Sequence, residues 1–583
     1  MPGLRKRLAL DLPSHQPSDA GTSLKRLHGT AKLSAADVGV VCAAVKSSVG
    51  FACPADVAAM GGACPKKIRT MKDGREVPDS RNSSRALQRA VAKSNSNNTS
   101  CKPPLVEIDL PLWDCDREAA IPTAVSFSLP HLILDSLPQD RFHEYCELSA
   151  AQAGVRKDLE TWLARTGVDP EPPSPPIAAC ALWGDGAPYS TKDSLQLLVM
   201  TLISGNHSFM MWVVAFGKQV LCRCGCKGRH TYDAMWSVLA WSFRAAAAGI
   251  HPRVDHLGAA FKPGTPMAQL AGRPMRLRGA LLAKRGDWQW MKAVLGLCGW
   301  KGEGPTKRIC WMCEACLGGE CAAYDFSSGA TWRSRPIDMQ KFWADQVFVS
   351  KIWGIPGFCV QFCKADWMHV ACLGILQAAC GSALWELFVS LGGVQSRSTS
   401  ACMRLLTMFR VMSKALDVEC PIGDLVVTMF RSTLSKPPKL KLKAAEGRRF
   451  LVVLRKVLAS CFPLGTPHAA TRFSCIDNLL LCYHEMDHWV DGGSSSANLA
   501  RFGRRHLLLY CDMGRLVGEE SLLWPLYPKH HLFGHLAGEA DTNPKRNWNY
   551  AMESEIGNAS AVAARASKKH LHRVLLQRHA NAM

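Results

Sequence analysis

The stretch Ile177–Lys218 reads IAACALWGDGAPYSTKDSLQLLVMTLISGNHSFMMWVVAFGK, and the spacing of its apolar runs decides the fold. An apolar run of strand length, Ile177 to Trp183, delivers Asp185 between two glycines. Two further apolar runs, Leu195–Ile203 and Phe209–Phe216, come after short turns. Runs of this length bounded by turn residues predict a three-stranded meander with a carboxylate at the tip of its first strand. Gly184 and Gly186 would let the backbone turn tightly there and leave Asp185 open to a ligand. A strand ending in Asp-Gly also makes a plain turn, so this reading takes its weight from the rest of the chain.

Downstream, Thr231–Ala248 has helical spacing and stops at Gly249, and Pro274–Leu282 reads as a strand that again runs into Gly-Asp, at Gly286-Asp287. A helix, Trp288–Leu297, comes at once. Carboxylates at the ends of neighbouring strands are what a site needs to hold divalent cations against phosphates. Asp287 also stands where a helix N-cap would. Residues 340–500 read as all-helical: Phe362–Gly393, with Asp366 and His369 one turn apart near its start, then Thr399–Leu416, Arg449–Phe462, Ser474–Val490 and Leu499–Leu516. The Asp366–His369 pair serves equally as an N-cap with a core histidine. The chain closes with a short predicted strand, Lys529–Leu536, and a helix, Glu553–Arg565, whose first turn carries Glu553 where the helix dipole favours a carboxylate.

Composition narrows the function classes. Over 583 residues, 70 Lys and Arg against 48 Asp and Glu leave a net charge of +22, and 48% of residues are hydrophobic. That is a largely globular chain of roughly two to four domains with a polyanionic partner, nucleic acid before an anionic membrane surface. No window offers the ~18 uncharged apolar residues of a membrane span, and the N-terminus has too short an apolar run for a secretory signal. The expectation is an intracellular, reducing and nuclear setting with no membrane, in which the 25 cysteines are thiols or metal ligands. Residues 1–110 read as a disordered basic region, whose Arg5-Lys6-Arg7 and Lys66-Lys67-Ile68-Arg69 suit import or nonspecific DNA contact, and 111–176 as a helical segment with a Pro-rich linker. Cys310-x2-Cys313 has metal-knuckle spacing, with Cys298, Cys316 and Cys321 near enough to complete a zinc site. Cys222, Cys224 and Cys226 alternate, which suits a metal poorly, although His230 could be a fourth ligand. Lys436, Lys439, Lys441 and Lys443, and Lys568, Lys569 and Arg573, would contact phosphates without reading sequence.

The order strand-Asp, two strands, helix, strand-Asp, helical insertion, strand, helix-Glu is that of an RNase H-like α/β fold. In five short blocks the chain resembles the transposases of CACTA (En/Spm) type DNA elements. The blocks are Trp183-Gly184-Asp185-Gly186; Leu281–Asp287 with Cys298-Gly299-Trp300 and the Cys310/Cys313 pair; Asp366-Trp367-Met368-His369; Pro528-Lys529-His530-His531-Leu532 with His535; and Trp548-Asn549-Tyr550-Ala551-Met552-Glu553 with Ile556-Gly557. The resemblance covers about Ile177–Arg578. It departs from the family in a shortened, cysteine-bearing insert after the meander and in lacking a recognisable N-terminal DNA-binding region. It implies an RNase H-like core in two parts, 177–297 and 525–583, flanking a Cys-rich zinc-knuckle segment, 298–339, and a helical insertion, 340–524. It also implies a DDE transposase in which Asp185, Asp287 and Glu553 hold two Mg²⁺ or Mn²⁺ ions for phosphoryl transfer on DNA. Asp366, His369, His531 and His535 would be supporting or DNA-positioning groups, zinc a second cofactor, and a homo-oligomer a compatible assembly. Two other classes fit the same residues: a transposase-derived DNA-binding protein that no longer cuts, and a zinc-stabilised interaction protein.

Overall fold

The computed structural model describes residues 68–70, 76–78 and 103–582, except 149–151, 171–173, 205–208, 303–305, 345–347, 394–397 and 568–569. Most of the basic N-terminal region therefore lies outside the described residues. Within it, a short ladder pairs Ile68–Thr70 with Glu76–Pro78. The expected disorder up to residue 110 is corrected at its end. Leu105–Asp114 (β1) and Ala119–Ser128 (β2) form an antiparallel hairpin in which Pro111 faces Pro122. Ile108, Leu110 and Leu112 turn inward on alternate positions, a period-2 signal masked by the two prolines.

The meander forms as expected: Ile177–Pro188 (β3), Ser194–Leu202 (β4) and Met210–Gly217 (β5) pair antiparallel in sequence. Arg278–Arg285 (β6) then pairs parallel to β3, giving the mixed order β5-β4-β3-β6. At the outer edge of β6, Lys284 makes one parallel bridge to Cys363, and the Lys364 N–H donates to the Lys284 carbonyl at 3.0 Å. β3 does not stop at Asp185, which sits mid-ladder opposite Leu197. Gly184 is there for space rather than for a turn, since a Cβ would stand 2.3 Å from the Trp290 ring.

Alternation along the strands assigns the two faces. Leu182, Leu198 and Met200 join Trp236, Leu239 and Phe243 of the helix Arg229–Ala248 in the main core. Trp183, Leu195, Leu197, Val199 and Trp212 form a second core on the opposite face, with Ile556, Ala559 and Val562, and with Leu571, Leu575 and Leu576. Asp185, two residues from Trp183, belongs to that second face.

A long helical region comes after β6 and the helix Trp288–Leu295. It comprises Met368–Ser390, Ser398–Ala415, Ala444–Cys461, Pro467–Asp487 and Ser495–Val517, close to the expected bounds. Met368–Ser390 is long and apolar enough to cross a bilayer, against expectation. In this fold 78% of its apolar window is buried, as in the core helix of a helical layer. Its first part, Met368–Leu376, is wound as a π-helix. The expected strand Lys529–Leu536 is instead a helix, Pro528–Gly538. Pro528 is pre-set for a first helical turn, and His531 and His535, four apart, fall on one buried face. The helices Tyr550–Ala563 and Leu571–Ala582 then cover the second face of the sheet.

Numbered in chain order, the helices that build and border the site are α1 (Arg229–Ala248), α2 (Trp288–Leu295), α3 (Met368–Ser390), α4 (Ser495–Val517), α5 (Pro528–Gly538) and α6 (Tyr550–Ala563).

Candidate functional site

Asp185 on β3 and Glu553 on α6 meet because their elements pack face to face. Ile556 and Ala559 of α6 sit on the Trp183 side of the sheet, and Glu553, one turn before Ile556, comes to rest beside Asp185. One side-chain ligand atom each from Asp185, His369 and Glu553 lie within 4.8 Å of one another. His369 Nε2 is 3.4 Å from Glu553 Oε1. Asp185 is buried, whereas the Glu553 side chain is 39% exposed, so the cluster opens to solvent on the α6 side. Burial, and then the charge of Asp287, push the Asp185 carboxyl up to about 7. Burial also raises Glu553, against the pull of His369. Crowded, partly desolvated carboxylates of this kind are relieved by a bound cation.

Asp287 is close enough to act on Asp185 electrostatically but stays outside the 4.8 Å cluster. Its carboxylate accepts the Trp290 N–H and caps α2, the alternative role its sequence position allowed.

Asp366 organises the cluster without joining it. Its side chain, 1% exposed, accepts from the Met368 N–H at 3.1 Å, the His369 N–H at 3.0 Å and the Asn549 N–H at 3.1 Å, and pairs with His369 Nδ1 at 2.5 Å. One carboxylate thus starts the π-helical turn, orients the imidazole so that Nε2 faces Glu553, and pins the residue before α6. Neighbouring residues complete that anchor. Arg448 lies over the Trp548 ring at 5.0 Å, and the Tyr550 hydroxyl donates to Cys372 Sγ at 3.2 Å. The Trp548–Glu553 block is therefore a clamp that holds the glutamate in register. Burial opposes charge on His369, yet the Asp366 hydrogen bond and the surrounding carboxylates leave it raised.

Two lysines to which the sequence reading assigns no role border this cluster. Lys529, at the start of α5, donates to the His369 carbonyl at 2.7 Å, and burial, with Lys439 nearby, lowers it to about 8. Lys284 on β6 is fully buried, sits over the Trp290 ring at 4.2 Å and is lowered by burial to about 7. The signal for Lys284 is present in the sequence, as a lysine that directly follows the apolar run Ala280–Ala283 of the strand.

His531 and His535 are not at the carboxylate cluster. They face Cys310 and Cys313 in a fully buried quartet. Cys313 Sγ is 3.2 Å from each Nε2, Cys310 Sγ is 3.7 Å from His535 Nε2, and the two Nε2 atoms are 3.1 Å apart. A tetrahedral zinc with Zn–N about 2.0 Å and Zn–S about 2.3 Å requires ligand spacings of about 3.3–3.8 Å, close to these. The outer nitrogens are committed elsewhere, His531 Nδ1 to the Ala323 carbonyl at 2.9 Å and His535 Nδ1 to Glu539 at 2.7 Å. Such bonds fix the tautomer that presents Nε2 to a metal. The group can hold a metal such as zinc. Cys298, Cys316 and Cys321, expected as ligands, stay outside it. Cys316 donates to the Glu314 carbonyl at 3.3 Å, and the Cys298 carbonyl accepts from the Trp288 indole at 3.3 Å. A histidine pair one helical turn apart completes the site, and reading that segment as a strand hides it. A second group, Cys222, Cys224, Cys226 and His230, also gathers its ligand atoms within 4.8 Å and can hold a metal.

Of the basic candidates, Lys436, Lys439, Lys441 and Lys443 are exposed, the last three alternating with buried Leu440 and Leu442. The segment is laid along α3 by hydrogen bonds between Gln377 and the backbone of Leu440 and Leu442, at 2.9 and 2.8 Å. Lys568 and Lys569 lie outside the described residues. Arg573 is committed in part to Glu107 on β1, at 3.6 Å.

Compared with protein-family models and with curated proteins, the chain matches none.

Proposed function

We propose that the chain is a transposase-type DNA phosphoryl-transfer enzyme on an RNase H-like core, acting in the nucleus. The observation that carries this reading is the approach of Asp185, His369 and Glu553, from segments far apart in the chain, to within 4.8 Å, with Asp287 beside them. The sheet order β5-β4-β3-β6, with β3 and β6 parallel and adjacent, supports it. So does the net charge of +22.

Asp185 and Glu553, with Asp287 turned from its cap, would hold Mg²⁺ or Mn²⁺. When bound, such ions supply an activated nucleophile and charge stabilisation at the leaving oxygen. The protein's own groups do the positioning. Asp366 fixes His369 and the start of α6, and Lys529, with Lys439 near it, adds positive charge beside His369. A groove of about 340 Å³ between α4 and α5, lined by Arg333, Arg501 and Arg504 with Gly534 and Gly538, gives phosphates a second foothold. Lys529 and Gly538 stand nine residues apart on α5, about 14 Å along its axis at a rise of about 1.5 Å per residue.

A second reading, a DNA-binding protein that no longer cuts, is favoured by one observation, the commitment of Asp287 to capping α2. Nicking of supercoiled plasmid in Mn²⁺ separates the two. On the first reading the wild-type chain nicks and Asp185→Asn and Glu553→Gln lose at least 100-fold in rate (roughly 3 kcal/mol of barrier). Equal nicking by all three rejects the assignment. DNA binding with no nicking favours the second reading.

A further inference from the structure

The loop Leu221–His230, LCRCGCKGRH, joins β5 to α1 on the far side of the sheet order from β6. Read as a strand, its alternating cysteines would not converge on one point. The backbone departs from a strand at the decisive positions: Gly225, Lys227 and Gly228 have φ of +92°, +54° and +86°. Those left-handed residues coil the loop back on itself, and the Gly228 and Arg229 N–H groups donate to the Cys222 and Cys226 carbonyls at 3.0 and 3.1 Å. The side chains then converge. Cys222 Sγ is 3.3 Å from Cys224 Sγ, and His230 Nδ1 is 3.6 and 3.4 Å from the two. Cys226 Sγ joins the same group within 4.8 Å.

We propose that this loop is a second, structural zinc site of Cys3His type, independent of the buried Cys2His2 quartet and of any nuclease activity. Spacings of 3.3–3.6 Å match a tetrahedral metal with mixed sulfur and nitrogen ligands and are far too long for a sulfur–sulfur bond of about 2.05 Å. The charge balance agrees. Three thiolates around Zn²⁺ leave one negative charge, and the loop itself supplies Arg223, Lys227 and Arg229. The site also has a mechanical role. The Cys222 N–H donates to Thr231 Oγ1 at 3.1 Å, and that hydroxyl donates to the Pro111 carbonyl at 2.7 Å, so the metal loop holds β1 of the hairpin against the start of α1. Cys222 is buried, whereas Cys224 and His230 are exposed. Zinc in this loop therefore exchanges with solvent chelators, while zinc between Cys310, Cys313, His531 and His535 does not without opening the core.

The test is zinc stoichiometry and release on the full chain, purified under reductant. Elemental analysis is expected to give two zinc ions per chain for wild type and one for Cys224→Ser/His230→Ala, and a colorimetric chelator is expected to withdraw one equivalent at least 10-fold faster than the other. The double variant should lack only the fast phase. Two zinc ions retained in the variant, or a single slowly released zinc in both proteins, overturns the proposal. Should the variant fold poorly, wild type loaded with Co²⁺ decides instead. Thiolate-to-cobalt absorption from five sulfur ligands over two sites supports the proposal, and absorption from two sulfur ligands on a single site rejects it.

Discussion

Asp366→Ala is the perturbation with the most to say about how the carboxylate cluster is held. The Asp366 carboxylate receives three backbone N–H groups and the His369 ring, all from buried or nearly buried positions. Truncation leaves those donors without an acceptor. At about 1.5 kcal/mol, the low end for a hydrogen bond to a charged group, the loss of four is about 6 kcal/mol. For a cooperative unit of this size the entropy of unfolding is roughly 1 kcal/mol per kelvin, so the melting temperature should fall by about 6 °C. The damage should also be local. With the Asn549 N–H released, the start of α6 loosens, and amide exchange across residues 549–556 should accelerate more than exchange in β3 or β4. Glu553 then no longer holds its place beside Asp185, and Mn²⁺ affinity measured by titration calorimetry should fall at least 10-fold. Asp366→Asn, which keeps one acceptor oxygen, should lie between the two. A melting temperature within about 1 °C of wild type, with unchanged exchange at α6 and unchanged Mn²⁺ affinity, would refute the idea that this side chain organises the cluster.

Two further outcomes are expected. Gly184→Ala puts a Cβ 2.3 Å from the Trp290 ring and should destabilise the chain by about 1–3 kcal/mol in chemical denaturation; wild-type stability would mean that Trp290 does not pack across β3 as described. Burial lowers His131 to about 3 and His506 to about 4, so between these values and about 6.5 the unfolded chain binds protons that the folded chain does not. Stability should therefore be independent of these two groups above pH 6.5 and decline as the pH falls from about 6.5 to 4, each contributing at most about 1.4 kcal/mol per pH unit. His506→Gln should flatten the measured slope at constant zinc, and parallel curves for variant and wild type would contradict the assignment.

How much of the fold and site is legible in the sequence differs by element, for physical reasons. The meander and β6 announce themselves because each strand is buried on both faces and carries a mainly apolar centre, Gly279–Ala283 in β6. The hairpin of β1 and β2 is half-exposed and carries facing prolines, so its weaker alternation is lost. Helix α5 reads as a strand because six of its residues, His530–His535, are buried in a row. That happens when one side of a helix meets a metal group and the other meets Tyr510 and Trp367. The same misreading conceals His531 and His535 as partners of Cys310 and Cys313 and points to nearer cysteines in their place. Asp185, Glu553, His369 and Asp366 all stand out in the sequence. That Asp366 bridges two helices, and that Asp287 caps a third, depends on tertiary contacts which no local pattern encodes. The Cys222–His230 loop turns on backbone sign, with Lys227 adopting a left-handed conformation uncommon for a side-chain-bearing residue.

The most direct measurement is anomalous diffraction from crystals of the chain soaked in Mn²⁺. A manganese peak about 2.0–2.3 Å from carboxylate oxygens of both Asp185 and Glu553 is the expected result. Manganese bound only elsewhere, with these two side chains uncoordinated, would contradict it.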